Sequence, residues 1–213
     1  MNRYTHLIWD FNGTLLDDVQ VCIRSANRLL AAHGLPTVDS EDTYRAKFGF
    51  PIVDYYRRLG FDFEKAPYAD LAVEWVAYYL EESGNAVLYP DVRDALEMGK
   101  RYGLSQLILS ATEAGMLERQ VSELGIRPYF DDVLGLGNIH AHSKEELGQL
   151  WRAQHPNARV LLIGDTDHAA RVAETINADC VLLSRGHQSG QILEQCPALF
   201  VADSLHEVFD RLF

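Results

Sequence analysis

The sequence predicts an α/β fold in which helices cover both faces of a parallel sheet and a helical cap is inserted after the first strand. From residue 88 onward, short apolar runs that favour strands alternate with segments of helical periodicity, which is typical of such a sheet. Between residues 16 and 87, helical patterns follow one another without a strand signal. We therefore expect a core domain of residues 1–15 and 88–213 and a helical cap domain of residues 16–87.

The first predicted element is a short buried strand over residues 5–9. The Asp-Phe-Asn-Gly sequence after it favours a turn. Apolar residues then recur at helical spacing from residue 19 to residue 33, with Asp17 or Asp18 placed to cap the helix and Gly34 placed to end it. The chain is thus expected to leave the sheet through an amphipathic helix.

The remaining elements follow from the same patterns. In the insertion, helices are predicted over residues 40–59 and 66–83, with Pro51 and Pro67 suited to first turns. Strands are then predicted over residues 105–109, 132–134, 159–163, 180–183 and 199–201, alternating with helices over residues 92–102, 114–124, 145–153 and 169–176 and a final C-terminal helix. All strands should end at one edge of the sheet, where ligands of such folds bind.

Composition narrows the classes of partner. The formal net charge is -12 and no local basic patch is present, which argues against nucleic acid as a ligand. The three cysteines show no C-x-x-C spacing, so neither a disulfide framework nor a zinc site is expected. The N-terminal apolar run is too short for a signal peptide or a membrane span. We expect a cytoplasmic protein without a membrane partner, and the sequence leaves its oligomeric state open.

Small or ionisable residues follow several of the predicted strands. Asp10, Ser110 and Asp165 each come directly after an apolar run, and Lys144 precedes a helix. Any one of them alone is explained equally well as a helix cap. Together they supply two carboxylates for Mg²⁺, with a hydroxyl and an ammonium for phosphate oxygens, which is the inventory of Mg²⁺-assisted phosphoryl transfer. The N–H groups of residues 111 and 112, at a predicted helix start, would add to the phosphate site.

Four ordered motifs carry a family resemblance that spans the chain. They are Leu-Ile-Trp-Asp-Phe-Asn-Gly-Thr-Leu at residues 7–15, Leu-Ile-Leu-Ser-Ala at 107–111, Lys144, and Leu-Ile-Gly-Asp-Thr-Asp at 162–167. The sequence resembles the haloacid dehalogenase-like hydrolases, particularly phosphoglycolate-phosphatase-like members with a helical cap. The resemblance implies a Rossmann-like core and a Mg²⁺-dependent phosphatase that acts on a small phosphorylated substrate.

The resemblance also implies roles for individual residues. Asp10 would attack phosphorus and form an aspartyl-phosphate, and Thr14 would fix the loop of the first motif. Mg²⁺ would be held by Asp10, Asp165 and the backbone carbonyl of Asn12. The catalytic set would be Asp10, Asn12, Ser110 and Lys144. The substrate-binding set would be Thr14, Ser110, Ala111 and Lys144.

Two positions depart from the family's usual pattern. Asn12 replaces an Asp that acts as general acid and base, and Ala169 replaces another Asp in the fourth motif, for which Asp167 is a possible substitute. An amide has no titratable proton near neutral pH, and general acid–base help is worth ~10²- to 10⁴-fold. We therefore expect a slowed phosphatase that prefers leaving groups of low pKa. The alternative is a weak or inactive relative that binds a phosphorylated ligand or protein.

A third reading, carbon–halogen hydrolysis, needs no metal, and the intact Gly-Asp-Thr at residues 164–166 argues against it. Candidate acid or base groups among the histidines are His6, His33, His140, His142, His168 and His187. His168 lies nearest the fourth motif and is interpreted as a helix-start or surface residue. The Gly-His-Gln-Ser sequence at residues 186–189 is unassigned. In the cap, the loop at residues 47–51 is a candidate for facing the substrate, against the alternative of a solvated helical face.

Overall fold

A computed structural model describes residues 3–137 and 143–213 of the chain; His140 and His142 lie outside them. The strands are β1 (His6–Trp9), β2 (Leu16–Asp17), β3 (Val87–Leu88), β4 (Ser105–Glu113), β5 (Asp132–Leu136), β6 (Val160–Gly164), β7 (Asp179–Leu183) and β8 (Val201–Ala202). The helices are α1 (Val19–Ala32), α2 (Glu41–Lys47), α3 (Ile52–Leu59), α4 (Tyr68–Glu82), α5 (Val92–Arg101), α6 (Ala114–Glu123), α7 (Lys144–Gln154), α8 (Asp167–Thr175), α9 (Gly190–Leu193) and α10 (Leu205–Leu212).

Six strands form one parallel sheet in the order β5-β4-β1-β6-β7-β8. The predicted fold class is confirmed. Because β1 lies between β4 and β6, the first strand of the chain is central, and its C-terminal end lies between the ends of the strands that carry the second and fourth motifs. Crossover connections place helices on both faces, as parallel pairing requires.

Side chains alternate between two hydrophobic layers along the central strand. Leu7 and Trp9 pack with residues of α5, α6 and α10 on one face, whereas Ile8 packs with residues of α7 and α8 on the other. All three side chains are fully buried, and each such burial is worth ~1.5–3 kcal/mol. The near-continuous apolar run that precedes Asp10 is therefore the signature of a strand covered on both sides.

Helices α1 to α4 form a third hydrophobic cluster of their own. Its buried members include Leu29 of α1, Tyr44 of α2, Tyr55 of α3 and Leu71 of α4. At the two ends of this helical segment, β2 pairs antiparallel with β3, a link that two-residue strands are too short to reveal in the sequence. The division into a core domain and a cap domain at residues 16 and 87 stays a prediction.

Two boundaries differ from expectation. The helix predicted over residues 40–59 is broken into α2 and α3, with Pro51 at the N-cap position of α3, because proline lacks the N–H that a continuous helix would use. Strand β4 runs on to Glu113 rather than ending at residue 109. Within residues 3–137 and 143–213, no helix is long and apolar enough to cross a membrane.

Candidate active site

Asp10 follows the central strand, and the strand register sets its neighbours. Trp9 pairs with Ile108 of β4 and with Ile163 of β6, and the Asp10 N–H donates to the carbonyl of Ile163 at 2.9 Å. The next residue along β6 is Gly164, and Asp165 follows it. Two carboxylates that are 155 positions apart in the sequence thus come to the same edge of the sheet because their strands pair in register.

The carboxylate of Asp10 forms a buried ion pair with Lys144. Lys144 Nζ lies 2.6 Å from Asp10 Oδ2, and the lysine side chain is 3% exposed. The other carboxylate oxygen accepts a hydrogen bond from the Phe11 N–H at 2.8 Å. Lys144 is the first residue of α7, where the side chain of Ser143 caps the helix by accepting from the N–H of Glu146. A fixed ammonium therefore stands beside the candidate nucleophile.

Asp165 is buried and held by two donors. Thr14 Oγ1 donates to its Oδ1 at 3.1 Å and the His187 N–H donates to its Oδ2 at 2.7 Å. The pKa of Asp165 is raised to about 6, because burial and the charge of Asp10 raise it by more than His187 and the two hydrogen-bond donors lower it. The carboxylate fits between two glycines, since a Cβ on Gly13 or Gly186 would lie 2.2 Å from Oδ2.

The donor set at this edge fits a hard divalent cation. Asp10 and Asp165 line the same cavity, and carboxylate oxygens are the ligands that Mg²⁺ prefers. The carbonyl of Asn12 as a further ligand stays a prediction.

The side chain of Asn12 is fixed by three hydrogen bonds. Its Nδ2 donates to Asp18 Oδ2 at 2.7 Å and to the Tyr79 hydroxyl at 3.2 Å. Its Oδ1 accepts from Thr112 Oγ1 at 2.8 Å. The carboxylate of Asp18 only accepts hydrogen bonds, which assigns the amide nitrogen to that side, and Thr112 Oγ1 then donates to the amide oxygen. The position usually held by a general acid is thus locked into a network.

Asp18 is the centre of that network, and its interpretation as a helix cap is wrong. It occupies the N-cap position of α1 but makes no side-chain cap hydrogen bond. The fully buried carboxylate accepts instead from the Gly13 N–H at 3.0 Å and from the Tyr79 hydroxyl at 3.0 Å, and it pairs with His187 Nε2 at 3.2 Å. A buried carboxylate needs such partners more than a helix end does.

The Asp18–His187 pair ties the helical segment to the sheet. Burial raises the pKa of Asp18, but the opposing effect of His187 and of the hydrogen bonds from Asn12 and Tyr79 is larger. The pKa of Asp18 is therefore lowered. Burial lowers the pKa of His187, but Asp18 raises it more, so the net direction is up. The other ring nitrogen, Nδ1, lies 2.9 Å from the Tyr44 hydroxyl of α2. His187 therefore joins the loop after β7 to the start of α1 by an ion pair and to α2 by a hydrogen bond.

The second motif differs from its predicted geometry. Ser110 and Ala111 lie inside β4, and α6 begins only at Ala114, so the N–H groups of residues 111 and 112 are not at a helix start. The Thr112 N–H donates to Ser110 Oγ at 3.1 Å, and Ser110 Oγ donates to Thr112 Oγ1 at 3.0 Å. Ser110 and Ala111 line the cavity, and the serine hydroxyl is directed at Thr112.

The other predicted residues have distinct positions. Thr14 is fully buried and is not among the residues that line the cavity. Its hydroxyl donates a hydrogen bond to the carboxylate of Asp165. Asp167 accepts a hydrogen bond from Gln188 Nε2 at 2.9 Å and pairs with Arg171, and it is not among the residues that line the cavity. Its role as a substitute for an acid at position 169 stays a prediction.

His168 was interpreted as a helix-start or surface residue, and the second part is wrong. It is the second residue of α8, but it is buried and lines the cavity. Its Nε2 lies 2.7 Å from Glu145 Oε1, and its ring packs on Phe50 with centroids 4.2 Å apart. Phe50 belongs to the loop between α2 and α3, so this contact is a second link between helical segment and core.

A cavity of about 510 Å³ opens over these residues. Its wall on the helical segment is formed by Phe48, Phe50, Ile52, Tyr55, Tyr56, Trp75, Val76, Tyr79 and Leu80. The loop at residues 47–51 does face the cavity, through its two phenylalanines; Lys47 is not among the lining residues.

Sequence reasoning missed several contacts of the network. It offers His187 as an acid or base candidate but not as the partner of Asp18. His187 follows β7 by four residues, so the rule that placed Asp10 and Asp165 at the sheet edge applies to it as well. For Thr112 the sequence indicates only the backbone N–H, because the predicted strand ends at residue 109 whereas β4 continues to Glu113. The contacts of Tyr79 on α4 with Asn12 and Asp18 could not be predicted, because a tyrosine on the apolar face of a helix is usually part of the hydrophobic core.

The family model of the haloacid dehalogenase-like hydrolases matches residues 7–183. The chain belongs to this family. Its haloacid dehalogenase-like sequence is 24% identical over 208 residues to a phosphoglycolate phosphatase of Pseudomonas syringae pv. tomato, with 92% of this chain and 76% of that protein covered. It is 23% identical over 214 residues to a phosphoglycolate phosphatase of Vibrio parahaemolyticus serotype O3:K6, with 96% and 94% covered.

Solved structures share the haloacid dehalogenase-like fold. A haloacid dehalogenase-like family hydrolase from Streptococcus pneumoniae superposes with a TM-score of 0.85 at 19% identity, over 99% of each chain. At this level of identity the likeness shows the fold, and fold similarity does not by itself supply a substrate.

Proposed function

We propose that this protein is a Mg²⁺-dependent phosphatase that hydrolyses a small phosphorylated metabolite through a phosphorylated Asp10. The observation that carries the proposal is the ion pair of 2.6 Å between Asp10 and the buried Lys144, beside Asp165 at the mouth of the parallel sheet. Similarity to proteins named phosphoglycolate phosphatase supports the reaction class. The expected cytoplasmic location and the lack of a nucleic-acid or membrane partner stay predictions.

The proposed chemistry starts with Asp10. Its carboxylate attacks phosphorus, the bond to the leaving oxygen breaks, and water later cleaves the aspartyl-phosphate. Lys144 exchanges its contact with the carboxylate for phosphoryl oxygens, and Ser110 and the backbone at Ala111 contact the same group. Mg²⁺, held by Asp10 and Asp165 with the carbonyl of Asn12, would supply positive charge toward the phosphoryl oxygens.

Asn12 limits both halves of the proposed reaction. Its amide neither protonates a leaving oxygen nor takes a proton from water, and three hydrogen bonds hold it against Asp18, Tyr79 and Thr112. Loss of general acid–base help costs ~10²- to 10⁴-fold, which is a small part of the ~10²¹-fold acceleration open to phosphate monoesters. Positioning and charge neutralisation are therefore expected to leave measurable turnover.

The second candidate function is binding without turnover, to a phosphorylated ligand or protein. The observation that favours it is that the acids near the site already have partners. Asp18 accepts hydrogen bonds from Asn12, Gly13 and Tyr79. Asp167 accepts one from Gln188 and pairs with Arg171. In this candidate function, neither stands in for the acids that the chain lacks at positions 12 and 169.

Release of inorganic phosphate from a panel of phosphoesters separates the two candidates. The phosphatase proposal expects release that requires Mg²⁺ and that disappears in Asp10→Asn, the control for a contaminating enzyme. Retention of a phosphate ester by the wild-type protein, with no release that depends on Asp10, would support the binding function instead.

A further inference from the structure

The cavity wall opposite Asp10 and Lys144 identifies the kind of leaving group that it fits. Resting on the proposed function, we infer that the substrate is a phosphate monoester whose leaving group is apolar and uncharged, with an aryl phosphate as the class that fits best. This differs from a small anionic substrate of the kind named for the curated relatives.

The wall supplied by the helical segment is aromatic and aliphatic. Trp75 and Tyr79 of α4 stack with ring centroids 5.2 Å apart and planes 19° from parallel. Val76 and Leu80, on the same helix, line the cavity, and 44% and 50% of their surfaces are exposed to solvent. Phe50, from the loop between α2 and α3, also lines the cavity. Apolar side chains left open beside a reaction centre are what a hydrophobic ligand covers. A cavity of about 510 Å³ has room for a ring system and a phosphoryl group.

The positive charges of the helical segment are directed elsewhere. Arg45 donates to the carbonyls of Gly186 and Arg185 at 2.8 and 2.6 Å. Arg58 donates to the Lys47 carbonyl at 2.6 Å, and Arg57 pairs with Asp54. None of these arginines is among the described residues that line the cavity.

The cations among the described residues that line the cavity are also paired or exposed to solvent. Lys144 is paired with Asp10 and His187 with Asp18. Arg119 lines the cavity but is exposed to solvent, where its field is screened. A carboxylate on the leaving group would therefore meet the apolar wall on one side and the acids Asp10, Asp18 and Asp165 on the other. The cations that pair with Asp10 and Asp18 are already engaged, so this is an unfavourable place for a second negative charge.

Asn12 points to the same class by a separate route. Because it donates no proton to the leaving oxygen, the reaction favours oxygens that are stable as anions. A phenol ionises near pH ~10, as the tyrosine side chain does, well below an aliphatic alcohol. An aryl leaving group is apolar, as the cavity wall requires, and it departs without protonation more readily than an alcohol, as the amide at position 12 requires.

Three substrates separate these effects in the wild-type protein with Mg²⁺. These are 2-naphthyl phosphate, which is apolar with a phenolic leaving group, acetyl phosphate, which is small with a leaving group of low pKa, and phosphoglycolate, which is anionic. We expect kcat/KM for 2-naphthyl phosphate to exceed that for the other two by at least ~10-fold, the discrimination of an apolar pocket. Equal or better use of acetyl phosphate or phosphoglycolate, with release that depends on Asp10, would overturn the inference and leave the phosphatase proposal standing. No release that depends on Asp10 from any of the three would overturn the phosphatase proposal itself.

A matched pair of variants on α4 tests the wall directly. Val76→Lys places a charge in the cavity, whereas Val73→Lys places the same charge on the same helix at a residue that is 72% exposed and outside the lining. Val76→Lys is expected to lower kcat/KM for 2-naphthyl phosphate about tenfold, chiefly through KM, without lowering that for phosphoglycolate, and Val73→Lys to change neither by more than about twofold. Identical behaviour of the two variants, both folded by circular dichroism, would overturn the assignment of this wall.

Discussion

The amide nitrogen of Asn12 donates a hydrogen bond of 2.7 Å to the buried carboxylate of Asp18. The two residues are complementary: the donor stands where a general acid is expected, and the acid stands six residues later, where His187, Tyr79 and the Gly13 N–H all hold it. The amide at position 12 is therefore built into the site as the partner of Asp18.

The first prediction concerns restoring the acid. Asn12→Asp alone would place a new carboxylate opposite Asp18 across this contact, where two like charges repel. We expect Asn12→Asp/Asp18→Asn, which exchanges donor and acceptor, to exceed both the wild type and Asn12→Asp in kcat on an alkyl phosphate, by up to the ~10²-fold typical of general acid help. Steady-state rates measure this.

Asp18→Asn alone is the control for that exchange, because it removes the charge without adding an acid and should not raise kcat. A double variant no faster than the wild type would contradict the role assigned to position 12. A single Asn12→Asp variant as fast as the double one would show that Asp18 does not oppose the new carboxylate.

The second prediction is that phosphorylated Asp10 accumulates. Asn12 is a poor base for the water that cleaves the intermediate, whereas an activated leaving group departs readily, so the second step is the slower one. Intact-protein mass spectrometry after quenching with acid should show a phosphorylated fraction for the wild type incubated with Mg²⁺ and p-nitrophenyl phosphate. Asp10→Asn should show none, and a phosphorylated Asp10→Asn protein would place the nucleophile elsewhere.

The third prediction concerns the glycine behind Asp165. A Cβ on Gly186 would come 2.2 Å from Asp165 Oδ2, whereas around Gly190 nothing lies within 4 Å. Gly186→Ala should therefore displace the carboxylate, cost ~1–3 kcal/mol of unfolding free energy and lower kcat/KM at least tenfold at limiting Mg²⁺. Gly190→Ala, the matched control, should change neither. Urea denaturation and a Mg²⁺ titration of activity measure the two effects, and similar results for both variants would refute the assigned packing.

The fourth prediction is that Mg²⁺ stabilises the fold through Asp165. A ligand that binds only the native state raises its stability by RT ln(1 + [L]/Kd), so the thermal midpoint of the wild type should rise with Mg²⁺ concentration. Asp165→Asn removes one of two anionic ligands, and its midpoint should stay flat over the same range. A matching rise in Asp165→Asn would place the cation at another site.

The fifth prediction is a pH dependence from His168. Burial lowers the pKa of His168 below its ordinary value of 6.5, and the charge of Lys144 lowers it further against the opposing effect of Glu145. The unfolded chain therefore takes up the proton first, and the stability contributed by the neutral ring is lost as pH falls below 6.5. His168→Gln does not titrate and keeps a donor near Glu145. The urea midpoint should fall less between pH 7.5 and 5.5 in the variant, and equal falls would contradict this origin.

Much of the fold and part of the site follow from local sequence alone. The change from strand runs to helical periods predicted the parallel sheet, because each period reports which side chains are buried. The sheet-edge rule placed Asp10 and Asp165 together before any distance was known. Lys144 and Ser110 lie at the same cavity, although Ser110 is inside β4 and directed at Thr112.

Local periodicity and motifs were enough to predict helices on both faces of a parallel sheet, the family resemblance and the acids at the sheet edge. The folded arrangement was needed to see that Asp18 is a buried ion-pair partner rather than a helix cap, and that the cavity wall is apolar. The physical reason is that His187 lies 169 residues from Asp18 in the chain. The pairing that stabilises a buried carboxylate depends on which loops meet after folding, and local periodicity carries no record of that meeting.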